Sequence, residues 1–298
     1  TLNQEPLISG ITADLLGSRD VVFTVPAVSS DTYGFEASGP ETSVTSLPDE
    51  MITINPGLVV SPASGVPGTP VSLTGSGFRS QERAIMISYD GTIVATGINA
   101  DARGTFKSSF TVPPSASGLH FISHSSAVAL ASGGPEASFQ VVEGISINLT
   151  EGPPDSGLTV SGSGFTANDP QISIIFDGDH ILVQAASDAQ GSFSEIIQIP
   201  ASPAGAHVIG ARSSNLSYGT NPEQTFYVVP DVELSISSGN VGGSVEVVGL
   251  GFGSLAQIAL SYDDELTEST AVADSSGSFT AEFPIPTSVH GDHTIKAV

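Results

Sequence analysis

A repeat of about 87 residues runs through the chain and constrains its fold more than any other feature of the sequence. One mark of the repeat is a Gly-x-Gly-Phe motif, whose copies end at Phe78, Phe165 and Phe252. A second mark is an Asp-x-x-Gly turn, whose copies begin at Asp14, Asp101, Asp188 and Asp274, in steps of 87, 87 and 86 residues. A period this long and regular indicates tandem copies of one small domain, each long enough to bury a core.

The copy at 57–143 has the pattern of a series of short strands. Val71, Leu73 and Gly75 alternate with polar residues, which is the period of a half-buried strand. Further strands are predicted at 84–89, 92–98, 106–112, 119–123 and 137–142, and Pro or Gly stands at most breaks. No segment has apolar residues at helical spacing. This pattern predicts an all-β fold of tandem immunoglobulin-like antiparallel β-sandwiches.

The period predicts four segments, with boundaries at 1–56, 57–143, 144–230 and 231–298. The first segment corresponds to the second half of a sandwich, with strands expected before Pro26, around Tyr33 and at 51–54. The last segment has the early strands of the repeat and lacks the counterpart of its closing strand.

An incomplete sandwich exposes a core face and an unpaired sheet edge, so two interpretations of the end segments stand. In the first, the chain is a window on a longer array. In the second, neighbouring chains complete each other by adding a strand to the open edge, and head-to-tail contacts of this kind build a filament.

Composition excludes several classes of partner. The chain has 31 acidic and 7 basic residues, a net charge of −24, which repels nucleic acid and anionic lipid. We therefore expect no nucleic-acid partner. No apolar run approaches the roughly 20 residues that span a bilayer, so we expect no membrane insertion. Cysteine is absent, which excludes disulfides and thiolate metal sites.

Four stretches of the second segment carry a family resemblance: 71–78, 87–91, 101–106 and 118–120. They are similar to the immunoglobulin-like repeats of prokaryotic cell-surface and extracellular proteins, in particular the IPT/TIG-like group. The resemblance covers essentially the whole chain. It implies an extracellular or cell-surface location, and it specifies the fold much better than the function.

Acidic residues near the expected hairpin turns are the candidate metal ligands. They are Asp90, Asp177 and Asp263, which share one phase of the repeat, with Asp179, Asp264 and Glu265 close by. Acids also stand near the segment boundaries, at Glu143, Asp231 and Glu233. Calcium bound there could stiffen the array. The alternative is a set of solvated acidic turns, and no other cofactor is expected.

His120, His207 and His293 share one phase, which Tyr33 occupies in the first copy. A position that accepts either Tyr or His predicts a packing and hydrogen-bonding corner rather than a metal ligand. The copies of this position also stand one domain apart, too far to share a metal.

Enzymatic chemistry has no support in the sequence. The Gly-x-Gly motif precedes a predicted strand, whereas a dinucleotide site needs a helix there. No Ser stands in a strand–turn–helix elbow. The only lysines, Lys107 and Lys296, have different phases and so give no repeated isopeptide position. Two Asn-x-Ser/Thr sequons make Asn148 and Asn215 glycosylation candidates, with chance occurrence as the alternative.

These observations favour a structural extracellular protein that forms a fibre, sheath or surface array. Identical subunits are its expected partners, assembled head-to-tail by strand complementation. The spacing from the corner residue to the next Gly-x-Gly is 42 residues in each of three copies, so no copy has a specialised loop there. The alternative is an adhesin stalk, or a carbohydrate- or protein-binding module of a larger surface protein. A spacer from a secreted enzyme is a third interpretation.

Overall fold

The computed structural model describes residues 2, 6–15, 18–36, 50–126, 137–178, 180–213 and 221–298. The chain forms two compact units. One contains Thr1–Pro113 with Gly118–Val141, and the other contains Pro114–Ser117 with Val142–Val298. The described residues form strands, turns and loops. Among them there is no helix that could cross a membrane.

The described residues of the first unit form ten strands in three sheets. Its strands are β1 (Thr32–Phe35), β2 (Glu50–Thr53), β3 (Gly57–Ser61), β4 (Ser64–Gly65), β5 (Pro70–Ser76), β6 (Ile85–Tyr89), β7 (Thr92–Ile98), β8 (Phe106–Thr111), β9 (Gly118–Ser125) and β10 (Ala137–Val141). Their sheet orders are β1-β2, β3-β5-β8 and β4-β10-β9-β6-β7. All pairs are antiparallel except the short pair of β4 with β10.

The second unit repeats this arrangement over 144–230. Its strands there are β11 (Gly144–Ile147), β12 (Glu151–Gly152), β13 (Gly157–Ser163), β14 (Ile172–Phe176), β15 (His180–Ala185), β16 (Phe193–Gln198), β17 (Gly205–Arg212) and β18 (Glu223–Val228). The sheet orders are β11-β13-β16 and β12-β18-β17-β14-β15. Strand for strand, this is the order found for β3 to β10.

The same unit continues over 231–298 with six strands. They are β19 (Asp231–Leu234), β20 (Ser244–Leu250), β21 (Gln257–Tyr262), β22 (Glu265–Val272), β23 (Phe279–Pro284) and β24 (Ile295–Ala297). Their sheet orders are β19-β20-β23 and β22-β21-β24.

Period-two alternation places one face of each sheet in a core. In β5, Val71 and Leu73 are fully buried, while Ser72 and Thr74 between them are exposed. The buried apolar residues form three clusters, which lie within 58–141, 145–228 and 245–283. Each cluster therefore lies inside one copy of the repeat. The prediction of tandem immunoglobulin-like β-sandwiches is confirmed.

The strand expected before Pro26 is absent, so that prediction is wrong: residues 18–26 form no strand. Their counterparts β8, β16 and β23 each pair with a long strand, which is β5, β13 or β20. No strand of that type occurs among the described residues before Asn55. The alternating sequence at 21–25 therefore has no partner to supply its hydrogen bonds.

Candidate functional site: a histidine corner at the repeat junction

Each complete hairpin turn of the repeat begins with an aspartate in the left-handed region. Asp90 and Gly91 have φ values of 46° and 80°, and Asp263 and Asp264 have 51° and 69°. Two successive positive φ angles are typical of a tight hairpin turn that matches the strand twist. The third turn begins with Asp177 at φ 48°. It joins β14 to β15, because Phe176 pairs with His180.

The turn aspartate reaches across to the recurring histidine, which lies near the start of β9, β17 or β24. Asp177 Oδ2 lies 2.7 Å from His207 Nδ1, and Asp177 Oδ1 accepts a bond of 2.9 Å from the Val208 amide. The Asp177 amide donates to the Val208 carbonyl at 2.8 Å. The same Nδ1–Oδ2 contact recurs at 2.6 Å in Asp90–His120 and 2.7 Å in Asp263–His293.

An aromatic ring covers each histidine. The centroid distances are 5.1 Å for Tyr89–His120, 5.1 Å for Phe176–His207 and 5.0 Å for Tyr262–His293, all near-parallel stacks. We call each set of turn aspartate, histidine and stacked ring a histidine corner. Stacking and the carboxylate together fix the orientation of the imidazole.

The second ring nitrogen of the histidine contacts a carbonyl four residues earlier. His207 Nε2 lies 2.8 Å from the Pro203 carbonyl oxygen, and His293 Nε2 lies 2.9 Å from that of Val289. In the first copy, the Tyr33 hydroxyl donates to the Ser29 carbonyl at 2.7 Å. The prediction that this position is a packing and hydrogen-bonding corner is therefore confirmed. Tyr and His are interchangeable here because both can donate to the same carbonyl.

Hydrogen bonds shift the pKa values of one corner in opposite directions. The bond to the Val289 carbonyl, followed by that to Asp263, raises the pKa of His293 above its usual value. The Thr294 amide, followed by His293, lowers the pKa of Asp263. Both shifts favour the charged forms of the pair.

Three residues before Tyr33, His120 and His207, one backbone amide binds the next copy of the repeat. The Ala204 amide donates to the Phe252 carbonyl at 3.0 Å, which links 144–230 to 231–298. Ser30 makes the same bond to Phe78 at 2.7 Å within the first unit. Ser117, which belongs to the second unit, makes it to Phe165 at 3.0 Å. We call this contact the junction bond.

The two sequence marks of the repeat form the acceptor side of the junction bond. The Phe252 amide donates to the Gly277 carbonyl at 2.9 Å, so the Gly-x-Gly-Phe loop is bonded to the Asp-x-x-Gly turn. Gly277 has φ 77°, and a Cβ added to it would lie 2.1 Å from the Phe252 carbonyl oxygen. Only glycine leaves that carbonyl in place.

The aspartate of the Asp-x-x-Gly turn bonds its own backbone. Asp274 Oδ1 accepts bonds from the amides of Ser276 at 2.8 Å and Ser278 at 3.0 Å. Asp101 does the same with Arg103 and Thr105. The Ser276 hydroxyl is the main cause of a lowered pKa at Asp274. The Asp-x-x-Gly sequence is therefore a backbone-bonded turn, and it connects strands of two different sheets.

An open cleft of about 350 Å³ lies beside the histidine corner of 144–230, where the next repeat meets it. Asp177, His180 and His207 line one side, and Ser275 and Ser276 of the next repeat line the other. The rest of the lining comes from Phe176 and the segment 200–203, which leads into the junction bond.

The structure places the calcium candidates in several settings. Both carboxylate oxygens of Asp90, Asp177 and Asp263 accept hydrogen bonds within their corners. Asp264 contacts Lys296 Nζ, and Asp179 lies outside the described residues. No group of three or more His, Cys, Asp or Glu side chains that could hold a metal occurs in the part of the chain that the structure describes. Calcium binding stays a prediction.

The two glycosylation candidates also stay predictions. Asn148 is exposed, and its Oδ1 accepts a bond of 2.8 Å from the Thr159 amide. Asn215 lies outside the described residues.

Glu143, one of the acids at the segment boundaries, lies near a buried aspartate, Asp169, that is not among the candidates named from the sequence. Asp169 is 2% exposed, and its Oδ2 accepts a bond of 2.9 Å from the Ser213 hydroxyl. Burial, with the nearby charge of Asp169 adding to it, raises the pKa of Glu143 to about 7. One period earlier the same position is Glu82, a buried acid that accepts a hydrogen bond from Ser126 as Asp169 does from Ser213, and one period later it is Ala256.

The fold and the junctions define the class of the protein as a tandem array of immunoglobulin-like β-sandwiches. No protein-family model matches the chain, and no curated protein matches it either. The resemblance to the IPT/TIG-like group therefore stays a prediction.

Solved structures with a similar arrangement include three bacterial proteins. The Escherichia coli adhesin FdeC is 11% identical over 81% of this chain and 91% of its own, with a TM-score of 0.26. SGBP-B of the Bacteroides ovatus mixed-linkage glucan utilization locus, solved with a mixed-linkage heptasaccharide, is 14% identical over 96% and 82%, with a TM-score of 0.29. Yersinia pseudotuberculosis InvD is 14% identical over 80% and 85%, with a TM-score of 0.25. Similarity at this level carries no argument about function.

Proposed function

We propose that the chain is a non-catalytic structural protein of the cell surface or extracellular space, whose stiff repeat junctions build a fibre, sheath or surface array. The observation that carries this proposal is the junction bond, made three times by the same backbone positions. Domains pinned to each other at a defined point bend less than domains joined by a free linker. The net charge of −24 suits a surface that resists nonspecific adhesion.

The stiffness of one junction can be measured directly. The chain has no cysteine, so spin labels can be placed on Ser194→Cys in β16 and Thr280→Cys in β23, which are both exposed. Double electron–electron resonance should give a narrow distance distribution. Gly277→Ala should broaden it, because the new Cβ displaces the Phe252 carbonyl that accepts the junction bond.

The matched control is Gly242→Ala in the same repeat. Gly242 also has a positive φ, of 79°, but a Cβ there would meet nothing within 4 Å. Gly242→Ala therefore introduces the strain of a positive φ angle without displacing a neighbouring carbonyl. A wild-type distribution as broad as that of a flexible linker would contradict the proposal.

Assembly of identical chains by strand complementation is the finer part of the proposal. Within 144–230, β17 lies between β14 and β18, whereas β24 pairs with β21 alone among the described strands of 231–298. A strand donated by a second copy fits the free edge of β24.

Light scattering across a concentration series should show growing oligomers. A peptide with the sequence of β18 should cap them, and a scrambled peptide should not. A monomer at every concentration would contradict assembly.

The cleft beside the histidine corner favours a second candidate, a carbohydrate- or protein-binding module on an adhesin stalk. Pockets with a few convergent polar groups are the usual form of a ligand site. A screen of glycans and surface proteins should then yield a ligand whose affinity falls in His180→Ala and stays unchanged in His290→Ala, since His290 does not line the cleft. A ligand that binds both variants equally would count against this site.

A further inference from the structure

His207 has a hydrogen-bond acceptor in front of each ring nitrogen. Nδ1 lies 2.7 Å from Asp177 Oδ2, and Nε2 lies 2.8 Å from the Pro203 carbonyl oxygen. A carbonyl oxygen can only accept, and an ionised carboxylate can only accept. The Val208 amide also donates to Asp177 Oδ1. Both contacts are therefore hydrogen bonds only when the imidazole carries two protons.

The carbonyl held by His207 belongs to the peptide group that makes the junction bond. The Pro203 carbonyl and the Ala204 amide are the two ends of one planar peptide unit. The carbonyl accepts from His207, and the amide donates to the Phe252 carbonyl of the next repeat at 3.0 Å. The orientation of the imidazole and that of the junction are therefore directly linked, and bonds in such a chain strengthen one another.

We propose that the second proton of His207 controls the junction between 144–230 and 231–298. With both nitrogens protonated, His207 holds the Pro203–Ala204 peptide in position to bind Phe252. Loss of one proton leaves a ring lone pair facing either Asp177 Oδ2 or the Pro203 carbonyl. One of the two contacts then becomes repulsive, the peptide group is free to rotate, and the junction loosens.

Among the residues that line the cleft, the titratable groups beside His207 are Asp177 and His180. Asp177 contacts the ring, and His180 at the start of β15 lines the same cleft. From the next repeat, Ser275 and Ser276 of the Asp274 turn line the opposite side.

The first copy contains a version of this device in which a phenol replaces the imidazole. The Tyr33 hydroxyl donates to the Ser29 carbonyl at 2.7 Å, and the Ser30 amide of the same peptide unit donates to the Phe78 carbonyl at 2.7 Å. A phenol ionises only at about pH 10. His207→Tyr should therefore keep the peptide in place and remove its dependence on the imidazole proton.

The test uses the full chain, with the labels on Ser194→Cys and Thr280→Cys, at about pH 5.5 and about pH 8.5, on either side of the ordinary histidine range. The wild-type distance distribution should be narrow at the lower pH and broad at the higher one. His207→Tyr should be narrow at both, and His180→Gln should follow the wild type. Nitrogen-15 NMR should show two protonated ring nitrogens on His207 at about pH 5.5.

Three outcomes would overturn the proposal. The first is a neutral His207 tautomer at the lower pH. The second is a wild-type distribution that stays narrow at both pH values. The third is the same broadening in His207→Tyr as in the wild type. A wild-type distance distribution that is broad at both pH values would contradict the stiff junction itself. That outcome would overturn the proposed function, whereas the three outcomes above overturn only the control by the His207 proton.

Discussion

The ring of Phe193 lies so close over Gly162 that a Cβ on the glycine would stand 2.0 Å from Phe193 Cε1. The same approach is 2.2 Å at Gly75–Phe106 and 2.0 Å at Gly249–Phe279. The first glycine of each Gly-x-Gly-Phe motif therefore makes room for an aromatic ring. That ring in turn packs edge-on against the phenylalanine of the motif, at 5.1 Å for Phe165–Phe193. The motif is a packing device of the sandwich core.

Gly162→Ala should destabilise the second unit by about 1–3 kcal/mol, since the ring must leave its position in a close-packed core. Denaturant unfolding followed by fluorescence or circular dichroism measures this change. Gly157→Ala in the same strand is the control, because a Cβ there meets nothing within 4 Å. Equal losses in the two variants would show that strand propensity, and not ring packing, selects the glycine.

Glu143→Gln should stabilise the protein at neutral and higher pH. Burial raises the pKa of Glu143 from 4.5 to about 7, so the folded state binds the proton more tightly than the unfolded state. Ionisation of Glu143 then lowers the free energy of unfolding as pH rises from about 4.5 to about 7. The side chain is half-buried and partly screened by water, so we expect a gain of about 1 kcal/mol.

Urea unfolding of the wild type and Glu143→Gln at about pH 5 and about pH 8 gives the comparison, with the window set by the ordinary and raised pKa values of a glutamate. The advantage of the variant should grow between the two pH values. Glu246→Gln, in β20, serves as the control for removing one negative charge. A gain that is the same at both pH values would contradict a buried, protonated Glu143.

Above about pH 4, Asp274→Ala should have a lower free energy of unfolding than the wild type. This difference should shrink as the pH falls further. The Ser276 hydroxyl and the Ser278 amide lower the pKa of Asp274 in the folded state. A lowered carboxylate pKa contributes stability above the unfolded value of about 3.9, and that stability is lost as pH falls through the folded value. Thermal unfolding of the two proteins across this range checks the sign. Ser275→Ala, in the same turn, removes no titrating group and should show a constant difference.

Tyr33→Phe should weaken the junction in the first unit. It removes the hydroxyl that donates to the Ser29 carbonyl, a net loss of about 1 kcal/mol for one hydrogen bond. The sensitive measurement is hydrogen exchange of the Ser30 amide, which donates to Phe78 from the same peptide unit. Tyr227→Phe, at an exposed position of β18, should leave that exchange rate unchanged. If the Ser30 amide is protected equally in Tyr33→Phe and the wild type, the Tyr33 hydroxyl does not stabilise the junction bond.

The alternation of apolar and polar residues was enough to locate six of the eight strands at 57–143, and it did not predict β3 or the short β4. The predicted ranges 92–98 and 137–142 match β7 and β10 to within one residue. This success has a local cause, because side chains of a strand alternate between two faces whatever its partner is. At 21–25 the same pattern failed, since a strand also needs a neighbour to complete its hydrogen bonds, and that neighbour is a property of the whole domain.

The candidate site was only partly visible in the sequence. The common phase of His120, His207 and His293 predicted a hydrogen-bonding corner, and the common phase of Asp90, Asp177 and Asp263 marked the turns. Nothing in the sequence paired the two sets, which stand 30 residues apart and meet only when the hairpin and the following strand share a sheet. The sequence alone therefore allows these acids to be predicted as calcium ligands.

By itself, then, the sequence determined the repeat, the strand pattern and the positions that need glycine or aspartate, because these follow from local backbone geometry and a two-residue period. Only the tertiary structure decided that the Asp177–His207 pair holds the Pro203–Ala204 peptide and that this peptide binds Phe252. Those contacts join residues far apart in the chain, and two of the three groups in the junction are backbone atoms. Every residue has such atoms, so their role leaves no mark in the residue types.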